Sequence, residues 1–266
     1  MRIISVVQFR PRLASCVADV SDNLRKVDRL IHDAWAVGSQ LVVFPELFLT
    51  GYSFMSGEEA AKVAEPWDGR TFKSMRDIAV QLKSYVAWGY PEVDGKNLYN
   101  SATVVGPDGS VACKYRKINL WGNDFLWATP GLDPALIVPT EIGMLSVVVC
   151  RDLRDEIPKN IPRTASENAT MFPMGKPDVV AACVNWGRGG FPPVSWMDFV
   201  GDNKCVLAVA NRWGKEEASL GFSQDFGHGG SAIVEPNWKV HTSGLKFGED
   251  CIVSAALEDL TTRRNS

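Results

Sequence analysis

The chain is 266 residues long, 45% hydrophobic, and carries a formal charge of −3 from 28 basic and 31 acidic side chains. That apolar share supports a substantial core and excludes a disordered chain, and the balanced charge supplies no basic excess for nucleic acid. Six cysteines without a Cys-x-x-Cys pair, and three dispersed histidines, exclude zinc fingers and ribbons.

Residues 3–7 read as a buried strand directly after Met1, without a charged-then-apolar leader, and no apolar run reaches membrane-spanning length. Most cysteines sit in apolar runs, so we expect a cytoplasmic, reducing setting, free thiols and no membrane partner. Leu24, Val27, Leu30, Ile31 and Ala34 then recur at helical spacing, with Ser21 as the expected cap and Gly38 as the stop. Leu41 to Pro45 is a short buried strand, 71–83 a helix, and Tyr85 to Tyr90 a strand. Ser101–Val105 and Val111–Tyr115 flank Pro107-Asp108-Gly109 as a hairpin. Strands are expected at 135–138, 144–150, 178–184 and 206–211, with a helix near 194–201. A last strand pair is expected from 230–235 and 251–256. No linker or repeat divides this order, which predicts a single layered α/β domain over 1–266.

Three polar residues stand where apolar strands end: Glu46 after Leu-Val-Val-Phe-Pro, Lys117 in Lys114-Tyr115-Arg116-Lys117, and Cys150 after Met144–Val149. Strand ends are where ligands collect in α/β sheets. A thiol needs a base or a nearby cation to act as a nucleophile. A buried carboxylate can be that base, and an ammonium group can stabilise both thiolate and oxyanion. Taken singly, each residue also fits an ordinary core or surface role. Spacing alone does not join them.

Val43-Phe44-Pro45-Glu46-Leu47-Phe48-Leu49-Thr50-Gly51-Tyr52, Tyr115-Arg116-Lys117-Ile118-Asn119-Leu120 and Val148-Val149-Cys150-Arg151-Asp152-Leu153-Arg154 together resemble the three motif blocks of the carbon–nitrogen hydrolase (nitrilase) superfamily, in the family's order. Segments around Asn185-Trp186, Asn211-Arg212 and Gly230-Ser231 extend the likeness over residues 3–258. The resemblance implies a four-layer α-β-β-α sandwich, a homodimer or larger homo-oligomer, and no metal or organic cofactor. It implies Glu46 as general base, Lys117 as the catalytic ammonium and Cys150 as nucleophile. Its second Glu stands seven residues before the Gly of a Pro-Gly pair; before Gly131 that place is held by the shorter Asp124.

Asn119 stands where many relatives have His, and Asp155-Glu156-Ile157-Pro158 replaces an aromatic-Pro-Glu segment. The following stretch, 159–177, looks longer than usual. Trp121, Trp186 and Arg151 are the expected substrate-binding residues, and the other five cysteines are expected to be packing residues. Arg151-Asp152 after the thiol, in place of the Trp-Glu of nitrilases, favours a small amide or N-carbamoyl substrate. A nitrilase, an acyltransferase and a catalytically silent binding member are the alternatives.

Overall fold

Ile3-Ile4-Ser5-Val6-Val7 forms the heart of β1 (Arg2–Gln8), and the computed structural model describes residues 1–154, 171–187, 191–242 and 248–258. The helical stretch that follows is two helices, α1 (Val17–Lys26) and α2 (Asp28–Ala36), broken at Val27. Ser21 does not cap it. Its hydroxyl donates to Val17 O inside α1, and the helix starts at Cys16, whose N–H donates to the Asp19 carboxylate. Periodicity follows an apolar face through such a break without registering it. This position also makes Cys16 an exposed cap residue and not a packing residue.

The first half continues with β2 (Leu41–Val43), α3 (Gly57–Ala61), α4 (Arg70–Leu82), β3 (Tyr85–Asp94), β4 (Asn97–Val105) and β5 (Val111–Arg116). The second half contains β6 (Val138–Thr140), β7 (Gly143–Val149), β8 (Val179–Cys183), α5 (Val194–Asn203) and β9 (Val206–Ala210). After these come β10 (Lys215–Glu217), β11 (Ser223–Asp225), β12 (Ala232–Val234), β13 (Val240–Thr242) and β14 (Cys251–Leu257). The strand expected at 135–138 is displaced to β6, whose residues pair with the start of β7.

Two six-stranded sheets result, in the orders β14-β1-β2-β3-β4-β5 and β13-β12-β9-β8-β7-β6. The expected last pair is absent. β12 pairs with β9 and β13 in one sheet, while β14 runs antiparallel along β1 in the other. Apolar runs mark both strands as buried, but a run carries no information about its partner.

The sheets face each other through one apolar cluster: Ile4, Val6, Val43 and Ala87 from the first meet Val147, Val149, Ala181 and Ala208 from the second. On the outer face of the first sheet, Leu30, Ala34, Met75 and Ala79 from α2 and α4 pack with Val42 and Val86. Trp196, Phe199 and Val200 of α5 join the second sheet's core. Burying each such large side chain contributes about 1.5–3 kcal/mol, which is what holds the helical layers onto the sheets. The layers are therefore α-β-β-α. β1, β2 and β3 run parallel, as do β7, β8 and β9, so the chain leaves β2, β7, β8 and β9 at strand carboxyl ends. Among the described residues, no helix is long and apolar enough to cross a membrane.

Candidate active site

Pro45 ends β2, since it has no N–H to give to the ladder, and the chain turns sharply over Glu46 and Leu47, the latter at φ 48°. Gly89 of β3 pins that turn: its N–H donates to Pro45 O (3.2 Å) and its carbonyl accepts from Phe48 N–H (3.3 Å). A Cβ on Gly89 would stand 2.7 Å from Glu46 Cα, so only glycine admits the close approach.

Lys117 follows β5 and is fixed through its backbone. Its N–H donates to Asn100 O and its carbonyl accepts from Gly131 N–H, both at 2.8 Å. A Cβ on Gly131 would meet Arg116 O at 2.2 Å, which accounts for the glycine of the Pro130-Gly131 pair. Cys150 ends β7 with φ 47°, a left-handed conformation costing a non-glycine residue roughly 1–2 kcal/mol. Such a turn lifts the thiol off the end of its strand.

These elements bring Glu46, Lys117 and Asp124 together, each no more than 1% exposed. Lys117 Nζ donates to Glu46 Oε1 (2.8 Å) and Asp124 Oδ2 (2.6 Å). Asp124 thus reaches the ammonium despite its missing methylene. The turn of 3-10 helix that begins at Gly122 carries it there, and Trp121 N–H donates back to its Oδ2 at 3.0 Å.

Asn100, which the motifs do not contain, donates from Nδ2 to Glu46 Oε1 (2.6 Å) and Asp124 Oδ1 (3.1 Å). A polar side chain in a strand otherwise packed into the core was its one sequence signal. Tyr52 was also missed. Its hydroxyl donates to the Trp121 carbonyl, and its backbone N–H to Glu216 Oε1 at 2.9 Å.

Two carboxylates share one ammonium in a site closed to water, and this decides the titration. Burial raises the Glu46 pKa; Lys117 opposes the rise and Asp124 reinforces it. Burial works against the Lys117 charge, but Asp124 and Glu46 outweigh it and hold its pKa well above the usual lysine value. The Cys150 thiol is pushed up by burial and then by Glu46. The resting group is a thiol near a carboxyl whose pKa burial raises, and among the described residues Glu46 Oε2 has no hydrogen-bond partner.

The remaining sequence candidates are Arg151, Trp121 and Trp186. Arg151 stacks on Trp121, its Cζ 4.3 Å from the ring centroid. Trp186 packs edge-on against Trp196, centroids 5.6 Å apart, and with Phe191, Trp213, Phe226 and His228 lines a cavity of about 1040 Å³. Asn119, at the position where many relatives have His, donates its backbone N–H to Asp152 Oδ1 (2.8 Å). The segment 155–158, where the aromatic-Pro-Glu motif is replaced, lies outside the described residues, as does most of the long stretch after it. Among the described residues, no group of three or more His, Cys, Asp or Glu is placed to hold a metal ion.

The carbon–nitrogen hydrolase family model matches residues 3–171. A nitrilase of Pyrococcus abyssi is 31% identical over 266 residues, spanning 98% of this chain and 91% of its own. An (R)-stereoselective amidase from a Pseudomonas species is 28% identical over 242 residues, 89% of this chain and 78% of that protein. Among solved structures, the amidase from Nesterenkonia sp. AN1, with acrylamide added to its active-site cysteine, superposes with a TM-score of 0.72 at 22% identity, covering 100% of this chain and 97% of that one. The chain belongs to the carbon–nitrogen hydrolase (nitrilase) superfamily, on its amidase-like side, and is a carbon–nitrogen hydrolase.

Proposed function

We propose that the protein hydrolyses the C–N bond of a small amide or N-carbamoyl compound through a thioester on Cys150. The observation that carries this reading is the buried cluster in which Lys117 lies 2.8 Å from Glu46 and 2.6 Å from Asp124, beside a thiol that ends its strand in a left-handed turn.

Glu46 accepts the Cys150 S–H proton as sulfur bonds to the substrate's carbonyl carbon. Because both groups are raised by burial, the proton moves during the attack; a standing thiolate would require the thiol pKa to be low. Lys117 Nζ and the backbone N–H of Arg151 stabilise the oxyanion. Glu46 returns its proton to the departing nitrogen, the C–N bond breaks, and ammonia or an amine leaves. Water, deprotonated by Glu46, then attacks the thioester carbonyl and releases the acid and the free thiol. Asp124 acts as a positioning residue, holding the ammonium between the two carboxylates.

Arg151 and Asp152, following the thiol, favour an amide or carbamoyl substrate over a nitrile. The relatives' own names span both chemistries, one a nitrilase and another a stereoselective amidase. Incubation with a panel of amides, N-carbamoyl compounds and nitriles, with ammonia assay and mass analysis of Cys150, tests the reading. Expected are ammonia release and an acyl adduct on Cys150, both absent in Cys150→Ala. Turnover retained by Cys150→Ala overturns it.

A further inference from the structure

Two groups hold the oxyanion in the proposed reaction, and they come from different sheets. Lys117 follows β5 of the first sheet, and its main chain is tied to Asn100 O and Gly131 N–H, neither of which belongs to the second. The Arg151 N–H follows β7 of the second sheet, in a single turn of 3-10 helix over Cys150–Arg154. A turn this short has little stability of its own. The sheets meet through apolar side chains. Apolar contact is non-directional: it presses two layers together without fixing how far one slides along the other. An oxyanion, however, requires its donors within about 0.5 Å of their productive positions. A directional contact has to set the placement of the two segments.

Asp152 supplies one. Its side chain is fully buried, and Oδ1 accepts the Asn119 N–H at 2.8 Å. Asn119 stands two residues after Lys117 and Asp152 two after Cys150, so this bond spans the gap between the two donor segments. Among the described residues, no other residue pair is hydrogen-bonded between 117–120 and 150–154. The Arg151 stack on Trp121 also joins the two sides, but at the rim, where Trp121 is 55% exposed. Burying a carboxyl is unfavourable unless it makes a specific contact, and this is the contact it makes. Oδ1 stays an acceptor whether the group is ionised or carries its proton on the other oxygen. The bond uses the main chain of residue 119, so having Asn there in place of His leaves it intact.

We propose that Asp152 is a positioning residue for the oxyanion: its bond to the Asn119 N–H sets the separation between the Lys117 ammonium, carried by the first sheet, and the Arg151 N–H, carried by the second. This rests on the hydrolytic reading, in which Cys150 attacks a carbonyl carbon and those two donors receive the oxygen. Without the strut both donors persist, but they no longer converge on one point. The loss therefore falls on the step that forms the oxyanion and spares the nucleophilicity of the sulfur.

The test sets a reaction of Cys150 that forms an oxyanion against one that does not. Methyl methanethiolsulfonate gives a methylthio group to the sulfur: the S–S bond forms, methanesulfinate leaves with the electron pair, the thiol proton passes to Glu46, and no carbonyl takes part. In Asp152→Ala, kcat for the amide that the panel identifies falls about tenfold to a hundredfold, with KM within about twofold of the wild type. The rate of methylthio transfer to Cys150, followed by peptide mass, stays within about twofold. Asp152→Asn keeps the acceptor and recovers most of kcat. If Asp152→Ala does not fold by circular dichroism, Asp152→Glu, whose acceptor is displaced by a methylene, is read with the same expectation. An unchanged kcat, or a kcat and a methylthio-transfer rate that fall together, overturns the assignment. If the wild type turns over no amide and forms no acyl adduct on Cys150, the hydrolytic reading fails first.

Discussion

Asn100 Nδ2 lies 2.6 Å from Glu46 Oε1, on the same carboxylate oxygen that Lys117 Nζ reaches at 2.8 Å. Two donors converge on one oxygen, and among the described residues the other, Oε2, has no hydrogen-bond partner. The carboxylate is thereby oriented, with one oxygen anchored and one free for proton transfer. Asn100→Leu removes the shared donor from Glu46 and Asp124 together. Since this bond lowers the Glu46 pKa, its loss moves the acidic limb of the rate profile to higher pH. We expect kcat to fall about tenfold to a hundredfold on the substrate the panel identifies, with folding retained by circular dichroism. An unshifted limb and an unchanged kcat would reduce Asn100 to a packing role.

Asp124 stands where relatives carry the longer Glu, and the distance to Lys117 shows how the shorter side chain suffices. Its Oδ2 is already 2.6 Å from Nζ, and the side chain is fully buried. Asp124→Asn keeps the shape, removes one of two counter-charges, and is expected to cost about 3 kcal/mol or more of stability through the unbalanced ammonium. Asp124→Glu adds a methylene to a filled site and is expected to lower the rate, as overpacking does. A large rate gain in Asp124→Glu, measured beside the wild type on one amide, would mean the native site is impaired.

The pH dependence follows from the same burial. Glu46 titrates above the ordinary value of 4.5, mainly because burial disfavours its charge, and the Cys150 thiol is raised for the same reason. With Glu46 as the proposed base, acylation is slow below the Glu46 pKa, where the base is protonated, and the rate climbs as pH rises through that pKa. We expect kcat/KM to increase with a slope of about one on a logarithmic plot and then to level off. Glu46→Gln should lose the limb together with most of the activity. A rate that is flat across the acidic range would contradict Glu46 as base.

Glu46, Lys117 and Cys150 were legible as candidates because each stands where a strand ends, but only the resemblance to the family's motif blocks joined them into one set. Asp124 was legible only through its distance from Gly131, and the side-chain contact that makes it useful depends on a turn of 3-10 helix no periodicity reveals. Asn100 had only a weak signal: β4 also carries Asn97, Ser101 and Thr103, and a polar residue there reads the same whether it faces water or a buried carboxylate. Strand pairing was hidden for a related reason. Cys251–Leu257 is as apolar as a partner for Ala232–Val234 should be, yet it pairs with β1, because the association of distant segments is fixed by the packing of whole sheets.

Arg212 and Glu216, four residues apart, form a buried bridge of 2.6 Å. Glu216 Oε1 also accepts from the N–H groups of Tyr52 (2.9 Å) and Ser53 (2.7 Å), so the pair clamps the loop after β2 to the loop after β9. Glu216→Ala strands a buried guanidinium and frees two N–H donors. We expect it to cost about 3–5 kcal/mol in urea unfolding, and Glu216→Gln distinctly less because its carbonyl keeps an acceptor. Equal losses in the two variants would show that the charge, and not the clamp, is what matters.

Asp152 gives a prediction whose sign is fixed by linkage. Burial raises its carboxyl from 3.8 to about 6, against the help of the Asn119 N–H that its Oδ1 accepts at 2.8 Å. The folded state therefore binds a proton that the unfolded state releases between those two values, and stability falls as pH rises through that window. Asp152→Asn keeps an acceptor for Asn119 and cannot ionise. Between pH 3.8 and about 6 the wild type should lose up to roughly 3 kcal/mol relative to Asp152→Asn, and above that window the difference should be constant. Urea unfolding of both proteins at several pH values measures it. A wild type that gains on the variant as pH rises would mean that Asp152 is ionised and favourably paired in the fold, and the burial argument would fail with it.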